Sequence, residues 1–114
     1  WEDDPQDPNH KCLKENHAIL KSVTDLSGKP LNVVRLPMPG YVIDGDTRLP
    51  ASYANFYIGN QVVILPVYNH ANDATARDLL QKYFPNREIV CIPSEIFIWG
   101  LGGIHCVTQQ QPRG

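Results

Sequence analysis

The chain has 114 residues, a formal net charge of −2 and a pI of about 6.0. Its length suits one domain or part of one, with a modest core. Lysine and arginine are scattered, so the sequence has no basic patch of the kind that binds nucleic acid or an anionic membrane. No apolar run approaches the length of a membrane span, and no signal-peptide pattern opens the sequence. Because the chain begins with Trp1 rather than methionine, we expect it to be processed or excised from a longer protein.

The first third of the sequence predicts one helix and one strand. Asp7 followed by Pro8 is a helix start, because a carboxylate caps the first turn and proline fits the first helical position. We expect the helix over about 9–24 and a short strand over 31–37, where β-branched residues occupy the centre. The apolar stripe of the helix consists of Leu13, Leu20 and Val23.

Residues 38–50 predict a loop. Within it, Asp44, Gly45 and Asp46 suggest a calcium loop or a turn. The turn is favoured, because no further carboxylates follow at the ligand spacing of a calcium loop.

The middle of the chain predicts a strand–strand–helix–strand unit. Strands are expected over 55–58 and 62–66, joined through Gly59 and Asn60 in a hairpin turn with positive φ. A helix over 73–84, capped by Asn72, follows, and then an apolar strand over 88–93. This order of elements predicts an α/β fold.

The residues of the second predicted helix divide between two faces. The buried face consists of Ala76, Leu79, Leu80 and Tyr83. On the solvent side, the i, i+4 spacing pairs Asp73 with Arg77 and Asp78 with Lys82.

Three cysteines at irregular spacing predict reduced thiols and a cytoplasmic protein, because an odd number does not close a disulfide framework. Cys91 lies in the apolar strand and Cys12 on the first helix, so both are interpreted as structural. Cys106 follows the glycine-rich run Gly100-Leu101-Gly102-Gly103 and lies in a predicted strand over 104–109. Taken alone, Cys106 fits either a buried structural cysteine or a nucleophile with an open approach.

Two long blocks carry a family resemblance. They are Ile104-His105-Cys106-Val107-Thr108-Gln109-Gln110-Gln111-Pro112 and Arg48-Leu49-Pro50-Ala51-Ser52-Tyr53-Ala54-Asn55-Phe56-Tyr57-Ile58, with matching spacing from Phe84-Pro85-Asn86-Arg87-Glu88 to Cys106. The sequence resembles the agmatine deiminases, which belong with the bacterial-type peptidylarginine deiminases in the guanidine-modifying (pentein) superfamily. The resemblance implies a five-unit α/β propeller built of strand–strand–helix–strand units. Residues 1–114 would be the C-terminal part of its single catalytic domain and supply fewer than two units.

The resemblance implies that Cys106 is the nucleophile of a hydrolase acting on a small guanidine. Agmatine would yield N-carbamoylputrescine and ammonia through an amidino-cysteine intermediate, on a route to putrescine and other polyamines. The backbone of Gly102 and Gly103 would contribute to substrate binding. No metal or cofactor is needed, and neither nucleic acid nor a membrane is expected as a partner. The full-length form is expected to be a cytoplasmic homo-oligomer.

Two alternatives remain open. The family commonly has Gly-Gly-Gly-Asn before Ile-His-Cys, whereas Leu101 and Gly103 depart from that pattern here. The departure leaves room for a peptidylarginine deiminase or a hydrolase of another guanidine. A non-catalytic fragment that serves packing or subunit association is the second alternative.

The histidines and carboxylates of the chain do not complete a catalytic set. On a strand, His105 would face away from the site that Cys106 faces. His10 and His17 are expected to be solvated on the first helix, His70 lies in a loop, and Glu95 suits the surface. In the family, the acid–base histidine and the guanidinium-binding carboxylates come from upstream units. We therefore expect the chain to carry the nucleophile alone.

Overall fold

A computed structural model describes residues 1–112 of the chain. The polypeptide forms two compact units, the first comprising Trp1–Pro37 and the second beginning at Met38. In the described residues, no helix is long and apolar enough to cross a membrane.

The first unit is built on helix α1, Pro8–Ser22. Asp7 caps it as predicted, because its Oδ1 accepts a hydrogen bond from the Asn9 amide at 2.7 Å. Within residues 1–112, the apolar stripe of α1 is not fully buried: the helix has no buried residue, and the Leu20 side chain is 44% exposed.

The predicted strand over 31–37 is wrong. The structure has an isolated bridge from Thr24 to Pro30, and residues 31–37 follow without regular structure. β-Branched residues favour an extended backbone, but a strand also needs a hydrogen-bonded neighbour, and none pairs with 31–37 in the described part of the chain. Trp1 lies against this segment instead, with the Arg35 guanidinium 4.1 Å from its ring centroid.

The second unit contains the predicted strand–strand–helix–strand arrangement. Its strands are β3 (Tyr57–Ile58), β4 (Val62–Val67) and β5 (Glu88–Pro93), in the order β3-β4-β5. The β3–β4 pair is antiparallel, whereas β4 and β5 run parallel and are connected through α2, Asn72–Tyr83. Before them, β1 (Ile43–Asp44) and β2 (Thr47–Arg48) form a short hairpin across the predicted turn, where Gly45 adopts a φ of 56°. The fold is therefore mixed α/β.

The core of the second unit is formed by apolar side chains of β4, of α2 and of the segment before the sheet. Among the buried residues are Val63, Leu65, Ala76, Leu80 and Tyr53. The apolar sequence of β5 predicts a buried strand, and this is wrong: Cys91 is partly exposed and Ile92 is 41% exposed. In the described residues β5 is an edge strand of the sheet and pairs only with β4.

Three local predictions for the β3–β4 turn and α2 are also wrong. Neither Gly59 nor Asn60 has positive φ, and the turn is closed by a hydrogen bond from the Gly59 amide to the Val62 carbonyl at 2.8 Å. Asn72 is the first residue of α2 rather than its cap, and its side-chain Nδ2 donates to the Met38 carbonyl at 2.9 Å. Tyr83 at the far end of α2 is 43% exposed.

We predict that Leu65→Ala lowers the free energy of unfolding by about 2–5 kcal/mol, because a fully buried side chain leaves a cavity when it is truncated. Leu26→Ala is the matched control, since Leu26 is fully exposed, and should change stability by less than about 0.5 kcal/mol. Urea denaturation of the full-length protein measures both. Equal midpoints for the two variants would contradict the placement of the core.

Candidate active site

Cys106 lies on a 3-10 turn formed by His105–Val107, which we call the Cys106 turn. The predicted strand over 104–109 is therefore wrong. The backbone closes local bonds instead, from the Cys106 amide to the Gly103 carbonyl at 3.1 Å and from the Thr108 amide to the His105 carbonyl at 3.1 Å. Local i to i+3 bonds take up the donors and acceptors that a strand would offer to a neighbour.

Two residues of the turn lie beside the same space. His105 and Cys106 line one open cavity of about 270 Å³ together with Ser52, Ala54 and Asn55. The strand alternation from which His105 was expected to face away does not apply to this turn, and the orientation of its side chain stays a prediction. The expectation that Cys106 is accessible and lines a concavity is confirmed.

Asn55 is the polar side chain in contact with the sulfur. It ends a second 3-10 turn, Tyr53–Asn55, which we call the Tyr53 turn. Its Nδ2 lies 3.5 Å from Cys106 Sγ, and its Oδ1 accepts a hydrogen bond from the His105 amide at 2.9 Å. The hydrogen bond from Asn55 is the main reason that the pKa of the Cys106 thiol is lowered, with a smaller contribution from the Gly103 backbone.

Gly102 and Gly103 make room for these side chains. A Cβ atom at Gly103 would lie 2.4 Å from Asn55 Cγ, and one at Gly102 would lie 3.2 Å from Cys106 Cβ. The glycines therefore allow the backbone to approach Asn55 closely. A contribution of their backbone to substrate binding stays a prediction.

A partly buried hydrogen-bond network holds the Tyr53 turn in place. The Tyr53 hydroxyl donates to Asp73 Oδ1 at 2.5 Å, and Asp73 also accepts from the amides of Tyr68 and His70 at 3.1 and 3.0 Å. The Tyr68 hydroxyl lies 3.3 Å from both the amide nitrogen and the carbonyl oxygen of Ser52, at the start of the turn.

The helical spacing predicted that Asp73 pairs with Arg77, but Asp73 accepts a hydrogen bond from Tyr53. Arg77 pairs with Asp78 at 2.8 Å instead. Burial, followed by the hydrogen bond and charge of Asp73, raises the pKa of Tyr53, so that its hydroxyl remains a donor. Sequence reasoning missed this network, because the helical pattern does not show that the chain before α2 folds back onto Asp73.

The other two cysteines differ from Cys106 in their surroundings. Burial raises the pKa of the Cys91 thiol. Cys12 was interpreted as structural, but it is exposed on α1, and its thiol donates to the Asn9 carbonyl at 3.2 Å. Of the three thiols, Cys106 is thus the one that combines exposure with a side-chain amide donor.

The remaining histidines make local contacts outside the cavity. His10 Nδ1 lies 2.8 Å from the Glu2 carbonyl, and His17 Nε2 accepts a hydrogen bond from Arg35 Nε at 3.3 Å. His70 precedes α2, where its Nδ1 accepts from the Asn72 amide at 3.2 Å. Among residues 1–112, no group of three His, Cys, Asp or Glu side chains is arranged to hold a metal ion.

We predict that Gly103→Ala displaces Asn55 and lowers the free energy of unfolding by about 1–3 kcal/mol, because the added methyl group overlaps the Asn55 carboxamide. Gly100→Ala is the matched control, since nothing lies within 4 Å of a Cβ there. Thermal melts of the two full-length variants give the comparison. A Gly103→Ala protein as stable as Gly100→Ala would contradict the close approach.

We predict that Tyr53→Phe destabilises the protein by about 1–3 kcal/mol, because Asp73 loses a buried donor. Because the pKa of Tyr53 is raised in the folded protein, the contribution of Tyr53 to stability is fully present below pH about 10 and is lost as the pH rises above it. Tyr53→Phe should therefore lessen the fall in stability above pH about 10. The exposed Tyr83→Phe is the control. Unfolding titrations from pH 7 to pH 11 test both expectations, and parallel curves for wild type and Tyr53→Phe would refute the second.

Comparisons with known proteins agree with the sequence resemblance. The agmatine deiminase of Pseudomonas fluorescens is 37% identical, over 98% of this chain and 35% of that protein. The solved agmatine deiminase of Enterococcus faecalis has a TM-score of 0.91 at 28% identity, covering 99% of this chain and 36% of that one. A cysteine-to-serine variant of C. jejuni agmatine deiminase with substrate bound has a TM-score of 0.88 at 29% identity, covering 99% and 32%.

The chain spans about a third of the length of these relatives. The family model described as Porphyromonas-type peptidyl-arginine deiminase matches residues 1–112. The family resemblance drawn from the two sequence blocks is thereby confirmed, and the chain belongs to the Porphyromonas-type peptidyl-arginine deiminase family.

Proposed function

We propose that the protein is an agmatine deiminase, which hydrolyses agmatine to N-carbamoylputrescine and ammonia with Cys106 as its nucleophile. The observation that carries this proposal is the exposed Cys106 thiol, which lines an open cavity and contacts an amide donor. The similar P. fluorescens and E. faecalis proteins are agmatine deiminases. The C. jejuni enzyme, in the form with a cysteine replaced by serine, holds its substrate.

The proposed reaction has two halves. The Cys106 thiolate attacks the central carbon of the guanidinium, and one nitrogen takes up a proton and leaves as ammonia. The product of this half is an amidino-thioether on the sulfur. Water then adds to the same carbon, the carbon–sulfur bond breaks, and the ureido product leaves as the thiolate is restored. A lowered thiol pKa favours the first half, because the thiolate is the attacking species.

The cavity beside Cys106 does not contain the whole catalytic set. Its lining residues in the described chain include no carboxylate, although a guanidinium needs negative charge to hold it in line with the sulfur. We propose that the acid–base histidine and these carboxylates come from the two thirds of the relatives' length that this chain does not span. The full fold would be a five-unit propeller, with residues 1–114 as the C-terminal part of its one catalytic domain.

The proposal also covers the substrate, the pathway, the compartment and the oligomeric state of the enzyme. Agmatine is a small-molecule substrate, and its ureido product would be a precursor of putrescine. The full-length protein is proposed to be a cytoplasmic homo-oligomer. The two halves of the proposed reaction require a thiol, a group that transfers protons, and water.

A peptidylarginine or another guanidine is the alternative substrate. The family model carries the peptidyl-arginine deiminase description, and Leu101 and Gly103 depart from the glycine pattern of agmatine deiminases. Leu101 is exposed and has a φ of 59°.

We predict that Cys106→Ala abolishes ammonia release from agmatine by the full-length protein, because it removes the attacking sulfur. Cys12→Ala and Cys91→Ala are matched controls and should retain turnover within about threefold, since neither thiol lies in the cavity. Turnover that survives Cys106→Ala would refute the nucleophile, and release from benzoyl-arginine amide but not from agmatine would favour the peptidylarginine alternative. A wild-type protein inactive on every guanidine tested would favour the non-catalytic reading.

A further inference from the structure

Residues 52–55 form part of the lining of the cavity beside Cys106, and we call this segment the 52–55 wall. Three of its side chains line the cavity, namely Ser52, Ala54 and Asn55. The side chain of Tyr53 is not among the lining residues in the described chain and is fully buried. Tyr53 therefore anchors the wall in the core of the second unit.

Two phenol hydroxyls hold the buried side of the 52–55 wall. The Tyr53 hydroxyl donates to Asp73 Oδ1 at 2.5 Å, and Asp73 lies in the first turn of α2. The Tyr68 hydroxyl, just after β4, lies 3.3 Å from both the amide nitrogen and the carbonyl oxygen of Ser52. Because a phenol side chain is rigid, a hydrogen bond at its hydroxyl limits the movement of the backbone that carries the ring.

Asp73 is an acceptor whose own position is fixed. Its Oδ1 also accepts a hydrogen bond from the Tyr68 amide at 3.1 Å, and its Oδ2 accepts one from the His70 amide at 3.0 Å. Burial, followed by the hydrogen bond to Asp73, raises the pKa of Tyr53, so the phenol keeps its proton at neutral pH. The bond from Tyr53 to Asp73 therefore ties the wall to the backbone at the start of α2.

The 52–55 wall is in direct contact with the turn that carries the sulfur. Asn55 Oδ1 accepts a hydrogen bond from the His105 amide at 2.9 Å, and Asn55 Nδ2 lies 3.5 Å from Cys106 Sγ. A movement of the wall would therefore change the space in which the guanidinium meets the sulfur. In reactions of oriented groups, a misplacement of about 1 Å can cost about 100-fold in rate.

We propose that Tyr53 and Asp73 are positioning residues of the deiminase, whose hydrogen bond fixes the 52–55 wall at its distance from the Cys106 sulfur. Neither residue is among those that line the cavity in the described chain, so both act through the wall. This inference rests on the proposed function, in which the guanidinium carbon must lie in line with the thiolate when the carbon–sulfur bond forms. Loss of the bond should therefore slow the chemical step more than it weakens substrate binding.

Tyr53→Phe tests this role, because it removes the hydroxyl and keeps the buried ring. Tyr83→Phe makes the same chemical change at the exposed end of α2 and is the matched control. Leu80→Ala is the control for stability, since it truncates a buried side chain of the same helix about 10 Å along the axis from Asp73. Leu80→Ala is expected to destabilise the protein at least as much as Tyr53→Phe.

The first readout is ammonia release from agmatine by the full-length protein, measured as separate kcat and KM values. Thermal melts set the assay temperature below the unfolding transition of every variant. Tyr53→Phe should lower kcat by about tenfold and leave KM within about threefold, because the carboxylates proposed to hold the guanidinium lie elsewhere. Tyr83→Phe and Leu80→Ala should keep kcat within about threefold of wild type.

The second readout needs no guanidine. Iodoacetamide alkylation of Cys106 is followed against pH by mass spectrometry, after chymotryptic cleavage at Trp99 has separated it from Cys91. The hydrogen bond from Asn55 lowers the pKa of the Cys106 thiol. If Tyr53→Phe displaces the wall, that pKa should rise toward the ordinary value of cysteine. Both controls should titrate like the wild type.

A lowered kcat together with a raised thiol pKa in Tyr53→Phe, with neither change in the two controls, supports the proposal. If Tyr53→Phe lacks either change, or if Leu80→Ala shows either one, the proposal is overturned and the bond serves stability alone.

The Cys106→Ala variant separates this failure from a failure of the proposed function. If Cys106→Ala is inactive while Tyr53→Phe behaves like an active wild type, the positioning inference alone fails. If Cys106→Ala remains active, or if the wild type releases ammonia from no guanidine tested, the proposed function fails and the positioning role of Tyr53 fails with it.

Discussion

The carboxamide of Asn55 joins two stretches of chain that are fifty residues apart. Its oxygen accepts a hydrogen bond from the first amide of the Cys106 turn, and its nitrogen contacts the sulfur. Its side chain lies so close to the backbone of Gly103 that a side chain there would overlap it. These contacts explain why the thiol is exposed, polarised and directed into a cavity. Asn55 is itself anchored to α2, because the Tyr53 hydroxyl of the same turn donates a hydrogen bond to Asp73 in that helix.

Much of the fold could be predicted, because the relevant signals are local. The cap at Asp7 marks the beginning of α1. The apolar run over 88–93 predicts both ends of strand β5 correctly. The failed strands at 31–37 and 104–109 have β-branched or apolar sequences, but each lacks a neighbour to pair with in the described residues. Propensity favours an extended backbone, and pairing decides whether it becomes a strand.

The candidate site could be predicted in part. Cys106 was identified as the nucleophile through the block that resembles the family. Without that block, the sequence does not distinguish a nucleophile from a structural cysteine. Asn55 lies inside the second block, which is the signal that could have found it. Its role could not be read from the sequence, because the contact depends on a 3-10 turn at 105–107 that was expected to be a strand. Asp73 was missed for a similar reason, since a helical pattern does not reveal which loop returns to it.

The most direct test is a crystal structure of the full-length protein after reaction with 2-chloroacetamidine, an amidine that gives up chloride to a thiolate. The account predicts density continuous with Cys106 Sγ in the cavity lined by Asn55 and His105, with Asn55 Nδ2 still beside the sulfur. Modification of Cys12 or Cys91 with Cys106 left free, or a Cys106 sulfur directed away from Asn55, would contradict it.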